Sequence, residues 1–188
     1  PSYRRKFIDI ELSKLNKKYY YSLVQYNKVL NERNTVLRKW NKDKNIIEIY
    51  DKQLSIYGGF IIKERIKYIQ KLNEKAKEIH EKITSESENI NFKYNTSIKN
   101  YDNIEKELFN LLRENAEKDF ERGTTTLGPH RDDFSITIND IDTRKFGSQG
   151  QQRTAVLSIK FASLEIVHEQ SGEYPILLLD DVHLELYL

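Results

Sequence analysis

The stretch Phe146-Gly147-Ser148-Gln149-Gly150-Gln151-Gln152-Arg153-Thr154 decides how the chain is read. Ser148 and Gln151 stand at capping-box spacing: a Ser side chain accepts from the N–H three residues on, and a Gln there reaches back. A helix therefore opens at Ser148. Apolar positions at Val156, Ile159, Ala162, Leu164, Ile166 and Val167 carry it to about Glu169, and Ser171-Gly172 ends it. Next comes Ile176-Leu177-Leu178-Leu179-Asp180-Asp181. Such a short, continuous apolar run is typical of a strand covered on both faces.

Both ends of this helix–strand unit have two readings. Capping alone contributes about 0.5–2 kcal/mol and accounts for Ser148 and Gln151. The same geometry, a helix N-terminus with free N–H groups and a glycine that permits close approach, is also a phosphate site. Asp180 and Asp181 either close a strand in a polar turn or stand where open α/β sheets bind ligands. There one carboxylate can hold Mg²⁺ and its neighbour can orient or deprotonate a water.

Upstream the chain is mostly helical. From Leu12 the apolar residues Leu15, Tyr19, Leu23, Tyr26, Leu30, Leu37 and Trp40 mark one face of a single long helix, with a break at 41–45. A second periodic segment starts near Ile46 and meets Gly58-Gly59, a pair expected to kink or end it. It resumes through Ile62, Ile66, Ile69, Leu72, Ala76, Ile79 and Ile83. Narrow stripes on long helices suit an antiparallel arm or a small bundle. Ile90, Phe92 and Tyr94 alternate with polar residues as in a strand. Ile104 to Leu112 returns to helix, ending near Gly123. Gly128-Pro129 reads as a turn, and Phe134, Ile136 and Ile138 followed by Asn139-Asp140 read as a hairpin.

Composition narrows the classes. The 188 residues are 32% charged, yet twelve Tyr and eight Phe argue against disorder. With no Cys, disulfides, thiolate catalysis and Cys-ligated metals are excluded; a reducing cytoplasm fits. The four His have no metal-ligand spacing, and no apolar run approaches 18 residues, so no membrane span is expected. Net charge +2 hides a gradient. Residues 1–44 hold twelve Lys and Arg against four acids, whereas 161–188 hold six acids and no Lys or Arg. A basic end can meet nucleic-acid phosphates or be a solvated helix face.

Taken together, three stretches resemble successive signatures of the RecF family, whose members have SMC-like ATPase heads. They are Gly128-Pro129-His130-Arg131-Asp132-Asp133, then Phe146–Thr154, then Leu177-Leu178-Leu179-Asp180-Asp181-Val182. Arg4-Arg5-Lys6-Phe7-Ile8-Asp9 and Tyr26–Asn34 are similar to the segment after that family's first lobe. The resemblance implies a helix-rich α+β fold: a helical, antiparallel coiled-coil-like arm inserted in an SMC/ABC-type P-loop ATPase head, of which the C-terminal part is present. Residues 1–122 are the expected arm, with a strand near 89–98, and 123–188 the expected ATPase lobe. The phosphate loop G-x-x-x-x-G-K-[ST] is absent from the sequence. It is expected to lie before Pro1, which would leave this stretch alone inactive where complete members are weak ATPases.

By the same resemblance, Ser148, Gln149, Gly150 and Gln151 contact ATP held by a second subunit, Asp180 serves Mg²⁺ and Asp181 the attacking water. Double-stranded, gapped or junction DNA, RecR, RecO and an ATP-dependent homodimer are the implied partners. RecA loading at gapped DNA within DNA repair and the SOS response is the implied role, at the nucleoid. The segment His183-Leu184-Glu185-Leu186-Tyr187 departs from the family pattern, in which Ser and Asp stand at the positions of Leu184 and Tyr187. His130 is expected to be structural. A helical interaction module without enzymatic activity, and another SMC-like head, are the competing readings.

Overall fold

A computed structural model describes residues 2–39 and 44–176. Seven helices and a three-stranded antiparallel sheet are present among them. This is the helix-rich α+β class expected. By compactness the chain falls into two units, each assembled from separated segments: one from residues 2–11, 66–95 and 133–176, the other from 12–65 and 96–132.

The second unit is all-helical and carries two departures from the periodicity. The stripe from Leu12 to Trp40 was expected to be one helix, but α1 (Ser2–Leu15) and α2 (Lys17–Leu37) are separate. Asn16 explains the break. Its backbone is extended, and its side chain accepts from the N–H groups of Lys18 (2.9 Å) and Tyr19 (3.1 Å). An Asn that caps a new helix competes with continuing the old one.

The glycine pair behaves in the opposite way. Helix α3 (Lys44–Ile83) runs through Gly58-Gly59 without interruption. Both glycines serve packing. A Cβ at Gly58 would stand 2.8 Å from Leu108 Cδ2 and 3.0 Å from Tyr26 Cε2, and one at Gly59 3.0 Å from the Glu105 Cα. The pair lets α4 (Ile104–Glu114) approach α3 backbone to backbone. The entropic cost of two mid-helix glycines, about 0.5–1 kcal/mol each, is offset by that contact. The helix from Ile104 also divides, at Asn115, into α4 and α5 (Ala116–Arg122), and left-handed Gly123 caps α5.

Arg33 organises the interior of this unit. Its guanidinium donates to Asp51 (2.7 Å), Asp119 (2.7 Å) and Thr125 (2.9 Å), and all four residues are buried. Burial pushes the Asp51 carboxyl above its ordinary range, and the Arg33 charge and hydrogen bond oppose that rise. Charges buried this deeply persist only when paired on several sides.

The first unit holds the sheet. Strand β1 (Ile90–Asn95) pairs antiparallel with β2 (Asp133–Ile138), setting Ile90 opposite Ile138, Phe92 opposite Ile136 and Tyr94 opposite Phe134. Asn139 and Asp140, both at positive φ, turn the chain into the two-residue β3 (Ile141–Asp142). That is the primed hairpin turn expected of Asn-Asp. A single helical turn, α6 (Thr143–Phe146), leads to α7 (Gln149–Ser171), which left-handed Gly172 ends. Helix α7 is tied to the second half of α3 by Tyr68 with Ser163 (3.2 Å) and by Lys71 and Lys75 with Glu169 (2.7 and 2.5 Å). The expected strand at 176–179 lies almost wholly outside the described residues.

Candidate functional site

The turn into α7 is built as its sequence implies. Ser148 is an extended N-cap whose Oγ accepts from the Gln151 N–H (3.2 Å), while Gln151 Oε1 accepts from the Ser148 N–H (2.9 Å). Gln152 Nε2 donates to the carbonyls of Gly147 (3.1 Å) and Thr143 (3.3 Å), holding the loop from below. Gly147 is required there, because a Cβ would run into the Thr143 carbonyl. The loop is thus braced by hydrogen bonds on both sides of the cap.

The outward side of the turn is open. Ser148, Gln149 and Gly150 are exposed, and Phe146 beside them is 75% exposed. A Cβ added at Gly150 would meet nothing nearer than Ser148 Oγ at 3.8 Å. Gly150 thus offers bare backbone at a helix N-terminus, where the N–H groups and the helix dipole favour an anion. All four turn residues named from sequence come together. Asp180 and Asp181 lie outside the described residues, as do His183–Tyr187. Among the described residues no group of three or more His, Asp or Glu could hold a metal ion.

Sequence reasoning missed the support beneath the turn. Gln151 Nε2 donates to Glu88 Oε1 (2.9 Å), and Glu88 Oε2 lies 3.3 Å from Nε2 of fully buried His80. On the other ring nitrogen, His80 Nδ1 is 2.9 Å from Ser158 Oγ, whose hydroxyl donates to the Thr154 carbonyl (2.8 Å). Glu88, just beyond α3, and His80 within it therefore hold α7 at two points, once at its cap and once two turns in. No sequence pattern marks Glu88: it follows a turn in which Ser85 and Glu86 adopt positive φ. Only His80, near the end of a helix, carries a sequence cue, and it is a weak one.

The Gly128–Asp133 stretch is held by hydrogen bonds and close packing. Gly128 has φ +120°, and a Cβ there would collide with the Tyr26 hydroxyl. Pro129 accepts from Arg65 Nη1 through its carbonyl (2.6 Å). His130 sits between the Tyr26 hydroxyl (2.7 Å) and the Thr125 carbonyl (3.1 Å), which fits the structural role expected of it. Burial, then the Asp132 charge, pushes the Tyr26 phenol up, so it stays neutral and serves as a hydrogen-bonding group. Asp133 pairs bidentately with Arg4 (2.9 and 2.5 Å), and that pairing holds its carboxyl below the ordinary range despite partial burial.

A helix-rich α+β body whose small sheet leads into a boxed, glycine-mouthed helix is the fold class of SMC/ABC-type ATPase heads. Solved structures share it. The chain superposes on the recombination mediator protein RecF with ATP, in the RecFOR pathway, with a TM-score of 0.91 and 39% identity. That match covers 99% of this chain and 52% of the other. A second RecF structure in the same pathway, with ATPrS, matches with a TM-score of 0.91 and 40% identity. No protein-family model matches the chain.

Curated relatives named DNA replication and repair protein RecF agree. The protein of Clostridium novyi (strain NT) is 69% identical over 186 residues, that of Clostridium botulinum (strain 657 / Type Ba4) 64% over 187, and that of Clostridium kluyveri 61% over 188. In each case 99% of this chain is covered. The chain belongs to the RecF family, and it spans about half the length of the curated relatives it matches.

Proposed function

We propose that this chain supplies the trans half of an ATP site in a DNA recombination and repair mediator. Ser148 and Gly150 meet the γ-phosphate of ATP held by a second subunit, Gln149 lines the approach and Gln151 keeps the turn in shape. Asp180 is assigned to Mg²⁺ and Asp181 to the attacking water. ATP then joins two subunits and its hydrolysis loosens them, so that the grip on DNA follows nucleotide state. RecR and RecO are the protein partners, and loading of RecA at gapped DNA at the nucleoid is the task. Residues 1–122 are assigned to the arm and 123–188 to the ATPase lobe.

One observation carries this reading: an exposed turn locked by its own capping box yet open at Gly150. A cap that served only its helix would need neither the bare backbone nor the grip on Glu88. The RecF structure with ATP supports the choice of nucleotide. In a protein of the relatives' full length, Ser148→Arg is expected to abolish ATP-driven dimerisation while sparing ATP binding. Light scattering and a nucleotide-binding titration separate the two, and loss of both would make Ser148 structural only.

A further inference from the structure

His80 lies fully buried near the end of α3, and its two ring nitrogens face different neighbours. Nδ1 stands 2.9 Å from Ser158 Oγ of α7, and Nε2 stands 3.3 Å from Glu88 Oε2. Among the described residues Nε2 has no other polar partner. An ionised carboxylate accepts hydrogen bonds and donates none. Were Nε2 the bare nitrogen of the ring, two lone pairs would oppose each other away from water, an arrangement that costs free energy. Nε2 therefore carries a hydrogen. On the opposite side the Ser158 hydroxyl suits either form of the ring. It gives its hydrogen to a bare Nδ1, or passes it to the Thr154 carbonyl (2.8 Å) and accepts from an N–H.

With His80 at Oε2 and Gln151 Nε2 at Oε1 (2.9 Å), both oxygens of Glu88 are engaged. That settles which way the Gln151 amide is turned. Its nitrogen is committed to Glu88, so its oxygen is left for the Ser148 N–H (2.9 Å). His80, Glu88, Ser148, Gln151 and Ser158 all belong to one compact unit. We infer that His80 is a positioning residue for the trans ATP site. It does not meet the nucleotide; it holds Glu88, which orients the Gln151 amide, which presents the Ser148–Gly150 turn. Charge argues the same way. A carboxylate one hydrogen bond behind a phosphate turn works against an anion, and a donor on its other oxygen disperses that charge. The inference rests on the role proposed above for the turn.

Two substitutions separate the two sides of the ring in a protein of the relatives' full length. Gln places an amide N–H near the position of Nε2, and Asn places one near Nδ1. His80→Gln should leave ATP-driven dimerisation within about twofold, whereas His80→Asn should weaken it roughly tenfold, as loss of a hydrogen bond to a charged group does. Sedimentation velocity reads both, and a nucleotide titration should show ATP binding unchanged. Ser158→Ala cuts only the Nδ1 contact, so it should lower the urea midpoint and spare dimerisation. Because His80 acts through Glu88, His80→Asn added to Glu88→Ala should cost nothing further. Equal effects of Gln and Asn, or additive losses in the double variant, would overturn the inference and leave His80 a packing residue. Hydrogen exchange of the peptide spanning 146–151, followed without ATP, separates this inference from the role of the turn. His80→Asn should speed that exchange and His80→Gln should not. An unsubstituted protein that fails to dimerise with ATP would sink the proposed function, whereas unchanged exchange in His80→Asn would sink the positioning role of His80.

Discussion

Gln151 Nε2 donates to Glu88 Oε1 at 2.9 Å while the same side chain's oxygen accepts from the Ser148 N–H. One amide therefore joins the candidate phosphate turn to the segment after α3. Glu88 in turn leans on buried His80, so the turn inherits its position from α3. A hydrogen bond to a charged group contributes about 1.5–3 kcal/mol. In a protein of the relatives' full length, Glu88→Ala should weaken ATP-driven dimerisation roughly tenfold and leave ATP binding as it was. Sedimentation velocity with and without ATP, beside a nucleotide titration, reads both. Unchanged dimerisation would show that the turn holds its shape without Glu88.

The mid-helix glycines make a prediction against helix propensity. Gly→Ala in an unencumbered helix stabilises by about 0.5–1 kcal/mol. At Gly59 the new methyl would press on backbone atoms of Glu105, which cannot rotate away. Gly59→Ala should instead destabilise the chain by about 1–3 kcal/mol, the usual cost of overpacking. Urea unfolding measures it, and a rise in the midpoint would contradict the packing account.

How much of this the sequence revealed depends on the reach of each interaction. The turn into α7, the hairpin at Asn139-Asp140 and the end at Gly172 are local devices, and residues at fixed spacing announce them. Asn16 is local too, but a continuous apolar stripe on either side masks it. Gly58-Gly59 misleads because what decides it, the approach of Glu105 and Leu108, comes from far along the chain. The same holds for Arg33 with Asp51, Asp119 and Thr125, and for Glu88 beneath Gln151. Ion pairs over such separations leave no periodicity to read.

Acid should loosen the end of α7. Hydrogen bonds from Lys71 and Lys75 hold the Glu169 carboxyl at about 2, against an ordinary value of 4.5. A carboxyl whose pKa is lower folded than unfolded adds stability above the unfolded value and loses it as pH falls through the folded one. The Glu169 contribution is therefore present above about pH 4.5 and fades toward pH 2. Carbon-detected NMR should place its midpoint near 2, and Glu169→Gln should flatten that part of the stability curve. A midpoint at the ordinary value would mean that the two lysines do not hold it in solution.

The central claim, that the turn at Ser148–Gln151 meets a nucleotide on another subunit, can be measured at Gln149. This residue is exposed, and the 188 residues contain no Cys. In a protein of the relatives' full length whose remaining residues carry no reactive thiol, Gln149→Cys gives a single reporter. Its alkylation rate is then followed with and without ATP–Mg²⁺ across a range of protein concentrations. The account predicts protection by ATP that grows with protein concentration, because a second subunit must arrive to cover the turn. Protection independent of concentration would place the contact within one subunit, and no protection at all would contradict a nucleotide role for the turn.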